Sequence, residues 1–184
     1  MEKKIIRLVV DVQVDFVTGA LHNDYAIPVV PHIVEFVKEG AEKGYTMVFT
    51  KDTHKKETYA STLEGATIPP HCIEHTEGWE IVPELKPYTK DEKSIVITKE
   101  TFAANWAKIF ENKTIYALFS NADEIQVAGF VASICVASQL LTLRGWFPNK
   151  KIVLYSNLTA DLSPEEYASA LSVAKSCQIE IENY

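Results

Sequence analysis

The strongest constraint on the fold is an almost unbroken aliphatic run, Ile5–Val10, that stops abruptly at Asp11. A strand that is apolar on both faces is typical of the interior of a parallel sheet, where helices cover both sides. The first polar residue after such a strand lies at its carboxyl end. In open α/β sheets, ligands bind beyond that end of the strands.

The rest of the chain alternates between predicted strands and predicted helices. Further strands are predicted at 45–50, 94–98, 124–129, 151–155 and 179–181, and helices at 28–44, 102–110, 134–146 and from Ser163 onward. Ser163 precedes Pro164, with Glu166 three residues on, which is typical of a helix start. The alternation predicts one α/β domain over residues 1–184, with three α/β/α layers and a mostly parallel six-stranded sheet.

Composition narrows the classes of function. The 184 residues are 47% hydrophobic and carry a formal net charge of −7 with scattered basic residues, which argues against a nucleic-acid partner. No run of 18 apolar residues exists to span a bilayer, and the amino-terminal sequence lacks a signal-peptide cleavage pattern. We therefore expect a soluble, cytoplasmic protein with no membrane partner. Three cysteines, an odd number, predict free thiols in a reducing compartment.

Chemically versatile residues follow four successive predicted strands. These residues are Asp11, Asp52 with His54, Lys99 and Cys135. Since the carboxyl ends of parallel strands meet at one edge, the pattern predicts one pocket assembled from separate segments. A polar loop at about 51–87 is longer than a simple connector needs to be, and long loops of this kind are usually functional.

Cys135 is the candidate nucleophile. It lies at the start of a predicted helix, where free amides and the helix dipole favour a thiolate. A cysteine among aliphatic neighbours is by base rate more often an inert core residue. Cys72, in the long loop beside His71, and Cys177, late in the last helix, are the rival thiols. Asp11 is the candidate base for the Cys135 proton, although an isolated aspartate more often caps a loop.

A second set of residues has the chemistry of a metal site. Asp52 and His54 lie two residues apart on an extended segment, so both side chains can reach one ion. His71 offers a second imidazole, and Glu64 can complete the set. Two histidines with carboxylates suit zinc, iron or manganese, and the sequence does not choose among them.

Six ordered blocks together resemble the isochorismatase-like cysteine hydrolases, and within them the nicotinamidases. The blocks are residues 11–16, 50–54, 69–72, 76–79, 99–102 and 129–136. The resemblance implies a Rossmann-like isochorismatase-type fold and a catalytic triad of Asp11, Lys99 and Cys135. It also implies a divalent metal, best fitted by zinc, on Asp52, His54, His71 and a variable fourth ligand, for which Glu64 fits.

The resemblance also implies how a substrate is held. The backbone amides of Val131 and Cys135, with a cis peptide before Val131, are expected to form the oxyanion hole. Phe16 and Trp106 are the expected ring-binding side chains. Relatives are commonly dimers or larger, so we expect a homo-oligomer, with the apolar segment 115–119 at an interface.

Departures from the family pattern leave the substrate open. Ile68 stands where some nicotinamidases have an aromatic residue, His75 replaces a glycine, and Ala132 with Ser133 replaces a frequent Thr-Asp pair. The first hypothesis is deamidation of nicotinamide. A second is the same reaction on another small amide, a carbamoyl or a ureido compound, and a third is a ligand-binding protein without turnover. Vinyl ether hydrolysis fits less well, because that branch generally lacks the cysteine.

Overall fold

The structure, a computed structural model, describes residues 3–184. Six strands form one sheet in the order β3-β2-β1-β4-β5-β6, and all five pairings between them are parallel. The strands are β1 (Ile5–Val10), β2 (Thr46–Asp52), β3 (Ile95–Lys99), β4 (Glu124–Phe130), β5 (Lys151–Ala160) and β6 (Glu180–Glu182). The predicted mostly parallel, six-stranded sheet is confirmed.

Five α-helices cover the two faces of the sheet. They are α1 (Val30–Glu42), α2 (Trp106–Ile109), α3 (Lys113–Asn121), α4 (Ala137–Trp146) and α5 (Pro164–Ser176). Helix α1 packs Ile33 and Phe36 on one face, against the alternate residues of the central strands. Phe119, Leu140 and Ala174, from α3, α4 and α5, belong to the hydrophobic cluster on the opposite face. The predicted three-layer α/β/α arrangement follows from this division.

Two predicted helices differ from the observed ones. The helix predicted at 102–110 is only the single turn α2, and a second helix, α3, follows it. Two asparagine caps explain the break: Asn105 accepts the Lys108 N–H, and Asn112 accepts the N–H groups of Thr114 and Ile115. The helix predicted at 134–146 begins with a π-helical turn, Ala132–Val136.

Strand β5 runs five residues beyond its predicted end at 155. Its pairing with β4 shifts register between Val127 and Gly129, so Ser156 and Asn157 bulge outward before Thr159 pairs with Gly129. The extension carries the chain to Asp161, directly behind the π-helical turn. None of the helices within residues 3–184 is long and apolar enough to cross a membrane.

The strand order places a crevice above β1 and β4. From β1 the chain first adds strands on one side, β2 and β3, and then on the other, β4, β5 and β6. The connections at the carboxyl ends of β1 and β4 therefore diverge, and ligands of open α/β sheets bind at such a switch point. The long loop between β2 and β3, residues 53–94, lies outside the regular strands and helices apart from two short 3-10 turns.

Candidate active site

Asp11, Lys99 and Cys135 meet at the carboxyl edge of the sheet. Lys99 Nζ lies 2.7 Å from Asp11 Oδ2 and 3.7 Å from Cys135 Sγ. Asp11 follows β1 in a left-handed conformation, φ 50°, which aspartate tolerates better than most residues. Thr50 Oγ1 donates to Asp11 Oδ1 at 2.6 Å and fixes the carboxylate. The structure thus brings the three predicted catalytic residues into one buried group.

Burial and the contacts within this group set the pKa values of Lys99, Cys135 and Asp11. Burial would lower the pKa of Lys99, but Asp11, Cys135 and Asp52 raise it well above its usual value, so the side chain is an ammonium. Burial raises the pKa of the Cys135 thiol well above normal, and Lys99 only partly opposes this. Burial thus acts against the thiolate that the helix start is expected to favour. Burial also raises the pKa of Asp11, which makes its carboxylate a stronger base.

The turn that carries Cys135 has the expected backbone features. The peptide between Phe130 and Val131 is cis, and the π-helical turn Ala132–Val136 follows it directly. Ser133, which replaces a frequent aspartate, is bound by the carboxylate of Asp161 at the end of β5. The sequence patterns missed Asp161, because β5 was predicted to end at 155 and Asp161 follows its observed end at Ala160.

Asp52, His54, Glu64 and His71 form a second buried cluster beside the first. One potential ligand atom from each lies within 4.8 Å of all the others. Asp52 Oδ2 lies 3.0 Å from His54 Nε2 and 3.3 Å from His71 Nε2. Glu64 Oε1 is 3.5 Å and 3.4 Å from the same two nitrogens. The other oxygen of Asp52 lies 3.1 Å from Lys99 Nζ, so Asp52 joins the two clusters.

The protonation of this cluster suits a divalent cation. Burial disfavours charged imidazoles, but hydrogen bonds to Asp52 and Glu64 outweigh it and raise the pKa of His54 and His71 to about 9. Burial disfavours the ionised Glu64, but the same two histidines lower its pKa to about 2. Without a metal, two imidazolium charges therefore face two carboxylates. A divalent ion that displaces both protons leaves the net charge unchanged, so the donor set fits such an ion.

Neighbouring groups hold these donors in place. The amide of Gln13 accepts the Asp52 N–H at 2.7 Å and donates to the Asp52 carbonyl at 2.9 Å. His71 Nδ1 lies 2.9 Å from the Pro69 carbonyl and 3.2 Å from the Tyr59 hydroxyl, which leaves Nε2 facing the carboxylates. Gln13 lies in the first sequence block, but no pattern predicted its contact with Asp52.

Asp15 ties the loop after β1 to the long loop. Its carboxylate accepts the N–H of Ala20 at 2.8 Å and the N–H of Cys72 at 2.7 Å. Gly78 packs so closely against it that an added Cβ would lie 2.1 Å from Asp15 Oδ1. Both oxygens of Asp15 therefore bind backbone amides, one in each loop.

A cavity of about 240 Å³ opens onto both clusters. Its lining includes Cys135 and Val131 from the nucleophile turn, and Asp52, Glu64 and His71 from the donor cluster. Phe16, a predicted ring-binding side chain, lines this cavity, with its ring centroid 5.4 Å from that of His71.

Trp106 does not line this cavity, which corrects its predicted placement. Its indole is buried in the core between Phe110 and Phe119, and its N–H donates to Gln139 Oε1 at 2.8 Å. A buried indole that has packing partners and a hydrogen bond is fully satisfied there. Phe102, four residues earlier, is the aromatic side chain that lines the cavity from this segment.

Known proteins share this fold over nearly its whole length. The nicotinamidase PncA of Bacillus subtilis is 24% identical, with 98% of this chain and 99% of that one covered and a TM-score of 0.84. The pyrazinamidase of Pyrococcus horikoshii, solved in complex with zinc, is 25% identical, with coverages of 98% and 99% and a TM-score of 0.79. The N-carbamoylsarcosine amidase of Thermoplasma acidophilum is 17% identical, with coverages of 98% and 96% and a TM-score of 0.75.

The family assignment rests on the sequence itself as well. No curated protein matches the chain. The model of the isochorismatase domain matches residues 6–182, which include all five helices and, apart from Ile5 at the start of β1, all six strands described above. The resemblance carried by the six sequence blocks is thereby confirmed, and the chain belongs to the isochorismatase domain family.

Proposed function

We propose that this protein is a metal-containing cysteine amidohydrolase that deamidates nicotinamide to nicotinate and ammonia. One observation carries the proposal: the buried Lys99 ammonium contacts Asp11, Asp52 and the Cys135 sulfur, and so connects a nucleophile with a metal-donor set. Cys135 and three of the four donors line the same cavity. A substrate in that cavity can therefore meet both groups at once.

The cavity supports a small, single-ring substrate. Its volume of about 240 Å³ lies below the roughly 300–1,000 Å³ of pockets for drug-sized ligands. Phe16 and Phe102 offer apolar surface for a ring, and Cys135, in the same lining, is the group that would attack a carboxamide. A divalent ion held by Asp52, His54, Glu64 and His71, for which we propose zinc, would supply a Lewis acid for a ring nitrogen.

The first half of the reaction transfers an acyl group to sulfur. Asp11 takes the proton of the Cys135 thiol, and the thiolate attacks the carbonyl carbon. Lys99 remains protonated and balances the negative charge that moves between the carboxylate and the sulfur. The N–H groups of Val131 and Cys135 are proposed to bind the oxyanion, and removal of one such donor typically costs about 3 kcal/mol. The carbon–nitrogen bond then breaks, and protonated Asp11 gives its proton to the departing ammonia.

The second half returns the enzyme to its starting state. Water attacks the thioester carbonyl while Asp11, now a carboxylate again, accepts one of its protons. The carbon–sulfur bond breaks and the sulfur takes the proton back from Asp11. The product keeps the second proton of the water as nicotinic acid and releases it to solvent to become nicotinate. Each proton removed in one step is returned in a later one, so the triad is unchanged after a full turnover.

Ammonia release from nicotinamide by the purified, zinc-supplemented protein tests this proposal. We expect Cys135→Ala to reduce turnover to background, a loss of roughly 10⁶-fold for a removed nucleophile. Cys177→Ala is the matched control, since Cys177 lies at the far end of α5 and we expect its loss to leave turnover unchanged. Full turnover by Cys135→Ala would contradict the mechanism.

One observation favours a second candidate, the same reaction on another small amide. Ile68, in place of an aromatic residue, lines the cavity, so the ring is flanked less completely than in some nicotinamidases. One of the structural neighbours is an N-carbamoylsarcosine amidase. A panel of nicotinamide, pyrazinamide and N-carbamoyl amino acids separates the two candidates. Faster ammonia release from a carbamoyl compound would replace nicotinamide as the proposed substrate.

Two further expectations concern the setting of the enzyme. The three cysteines are free thiols in the structure, which supports a reducing, cytoplasmic location.

We also propose a homo-oligomer. In the segment 115–119, Tyr116 and Leu118 are about 40% exposed, while Phe119 is buried in the core. Sizing chromatography tests the oligomer, and elution at the mass of one chain, 20.6 kDa, would exclude it.

A further inference from the structure

Asp161 is a buried carboxylate whose hydrogen bonds converge on the nucleophile turn. Its Oδ2 accepts the Ser133 N–H at 2.6 Å, and its Oδ1 accepts the Ser133 hydroxyl at 2.9 Å. Oδ1 also accepts the N–H of Leu162 at 2.8 Å. The residue is 2% exposed, so its charge is stabilised by these three donors in place of water.

The same residue connects three segments that line the cavity. Leu162 lines the cavity directly, and Asn23, another lining residue, donates from its side chain to the Asp161 carbonyl at 3.3 Å. Ser133 lies midway between Val131 and Cys135, the two residues whose amides are proposed to bind the oxyanion. Asp161 itself is not among the lining residues, so it acts on the cavity through its neighbours.

We propose that Asp161 is a positioning residue for acyl transfer, because it fixes the turn that holds the Val131 and Cys135 amides. The inference rests on the cysteine acyl chemistry of the proposed function but not on the identity of the amide. A tilt of the turn would move both amides away from the oxyanion. A misplacement of about 1 Å of a catalytic group costs on the order of 100-fold in rate.

The bond that Asp161 makes with the Ser133 amide also has a chemical consequence. It removes one N–H at the helix start from the donors free to contact a substrate. The hydrogen bond also fixes the turn between the Val131 and Cys135 amides. The turn therefore does not have to reorganise when these amides bind the oxyanion.

Two reactions of Cys135 separate positioning from general damage to the protein. Acetyl transfer from p-nitrophenyl acetate passes through an oxyanion, whereas alkylation by iodoacetamide forms none and needs only the thiolate. For Asp161→Asn, we expect acetyl transfer at Cys135 to fall on the order of 100-fold. We expect alkylation of Cys135 to stay within about threefold of wild type, since Asp11 and Lys99 are untouched.

The asparagine is nearly isosteric but replaces one acceptor oxygen with an NH₂ group that faces an N–H donor. Ser133→Ala is the milder variant, because it removes the hydroxyl bond and keeps the Ser133 N–H bond. We expect it to slow acetyl transfer by roughly two- to tenfold, and it serves as the test if Asp161→Asn fails to fold. Asp91→Asn is the control, because Asp91 Oδ1 also accepts a backbone N–H, that of Lys93 at 2.9 Å, far from the cavity.

The outcomes distinguish this inference from the proposed function. Acetyl transfer at the wild-type rate in Asp161→Asn, or an equal loss of acetyl transfer and alkylation, would overturn the positioning role. If Asp161→Asn did not fold, unchanged acetyl transfer in Ser133→Ala would overturn it. A third outcome separates the two proposals. If the wild-type protein releases no ammonia from nicotinamide but Asp161→Asn still loses acetyl transfer, the proposed substrate is overturned and the role of Asp161 is supported.

Discussion

The proposed catalytic triad and the proposed metal-donor cluster meet at one edge of the sheet but are held there by different means. Asp11 directly follows β1, Lys99 is the last residue of β3, and Cys135 lies in the short turn after β4. The register of the parallel strands therefore brings the three segments together. Of the four donors, only Asp52 lies in a strand, and the others are carried by the long loop. The triad geometry therefore depends on the core of the sheet, whereas the donor geometry depends on loop hydrogen bonds.

The loop is held by a few specific contacts. His54 N–H donates to the Cys72 carbonyl at 2.9 Å, and Glu74 N–H donates to the His54 carbonyl at 2.8 Å. These bonds align the two histidine-bearing segments, and Asp15 anchors the second of them through the Cys72 amide. Disturbing one region should therefore leave the other largely intact, except at the residues that they share.

Lys99→Met removes the ammonium that contacts both Asp11 and Asp52. We expect it to have the largest effect on turnover and stability. Without the ammonium, Asp11 and Asp52 are left as neighbouring buried carboxylates, which costs about 3–5 kcal/mol in the free energy of unfolding. The pKa of Asp11 then rises further, so it stays protonated and takes no proton from Cys135. We expect turnover to fall to background. Ammonia release and urea unfolding measure the two effects.

Lys151→Met is the control for the loss of a lysine among carboxylates. Lys151 Nζ lies 3.3–3.5 Å from oxygens of Glu124, Glu180 and Glu182 but is partly exposed, so its loss should cost at most about 1 kcal/mol. If Lys99→Met were no less stable than Lys151→Met, the two clusters would not depend on a shared ammonium.

The division between strand-borne and loop-borne residues also explains what the sequence could predict. An aliphatic strand that ends in a polar residue places that residue at the carboxyl edge, so Asp11, Asp52, Lys99 and Cys135 were found without knowledge of tertiary contacts. The predicted bounds of most strands lie close to the observed ones, because the aliphatic run itself marks where a buried strand begins and ends. The end of β5 was not predicted, because a bulge between β4 and β5 depends on pairing that one strand does not reveal.

Residues that act through contacts distant in sequence were missed or misplaced. Gln13 binds Asp52 across 39 positions, and Asp161 binds Ser133 across 28. Trp106 and Phe102 lie four residues apart, and only the packing of the core decides that Trp106 is buried while Phe102 lines the cavity. The motif spacing identified the segment correctly, but tertiary packing selected the side chain.

Metal binding by the loop-borne cluster should depend strongly on pH. The pKa of His54 and of His71 is raised to about 9, so below that pH an entering ion has to displace two protons. The logarithm of the apparent affinity for zinc should rise with pH below about 9, with a slope that approaches two per pH unit. Isothermal titration between pH 6.5 and 9 measures it. A slope near zero would contradict the protonated, metal-free cluster.

The same shifts give the metal-free protein an opposite pH dependence of stability. A raised histidine pKa stabilises the folded state fully below the unfolded value of about 6.5, and this stabilisation is lost as pH rises through about 9. The melting temperature of chelator-treated protein should therefore fall over that range. Zinc should raise it most at the alkaline end. His75→Ala, which removes an exposed histidine outside the cluster, should leave both trends unchanged.

Gly78→Ala is the smallest change that should separate the two regions. An added methyl group would lie 2.1 Å from Asp15 Oδ1, so the carboxylate that anchors the Cys72 amide has to move. We expect a loss of roughly 1–3 kcal/mol in the free energy of unfolding, as in other overpacked sites. Zinc affinity should fall, because His71 precedes Cys72, while acetyl transfer at Cys135 in the metal-free protein should stay near wild type.

Gly145→Ala is the control for Gly78→Ala, because both changes add one methyl group. A difference between the two variants therefore reflects the position of the added group and not its chemistry. A Cβ at Gly145 meets nothing within 4 Å, and alanine is favoured over glycine by roughly 0.5–1 kcal/mol inside a helix such as α4. Gly145→Ala should therefore leave zinc affinity unchanged and stability equal or higher. If Gly78→Ala slowed acetyl transfer as much as it weakened zinc binding, the loop would also hold the triad. The sheet register alone would then be insufficient to place Asp11, Lys99 and Cys135.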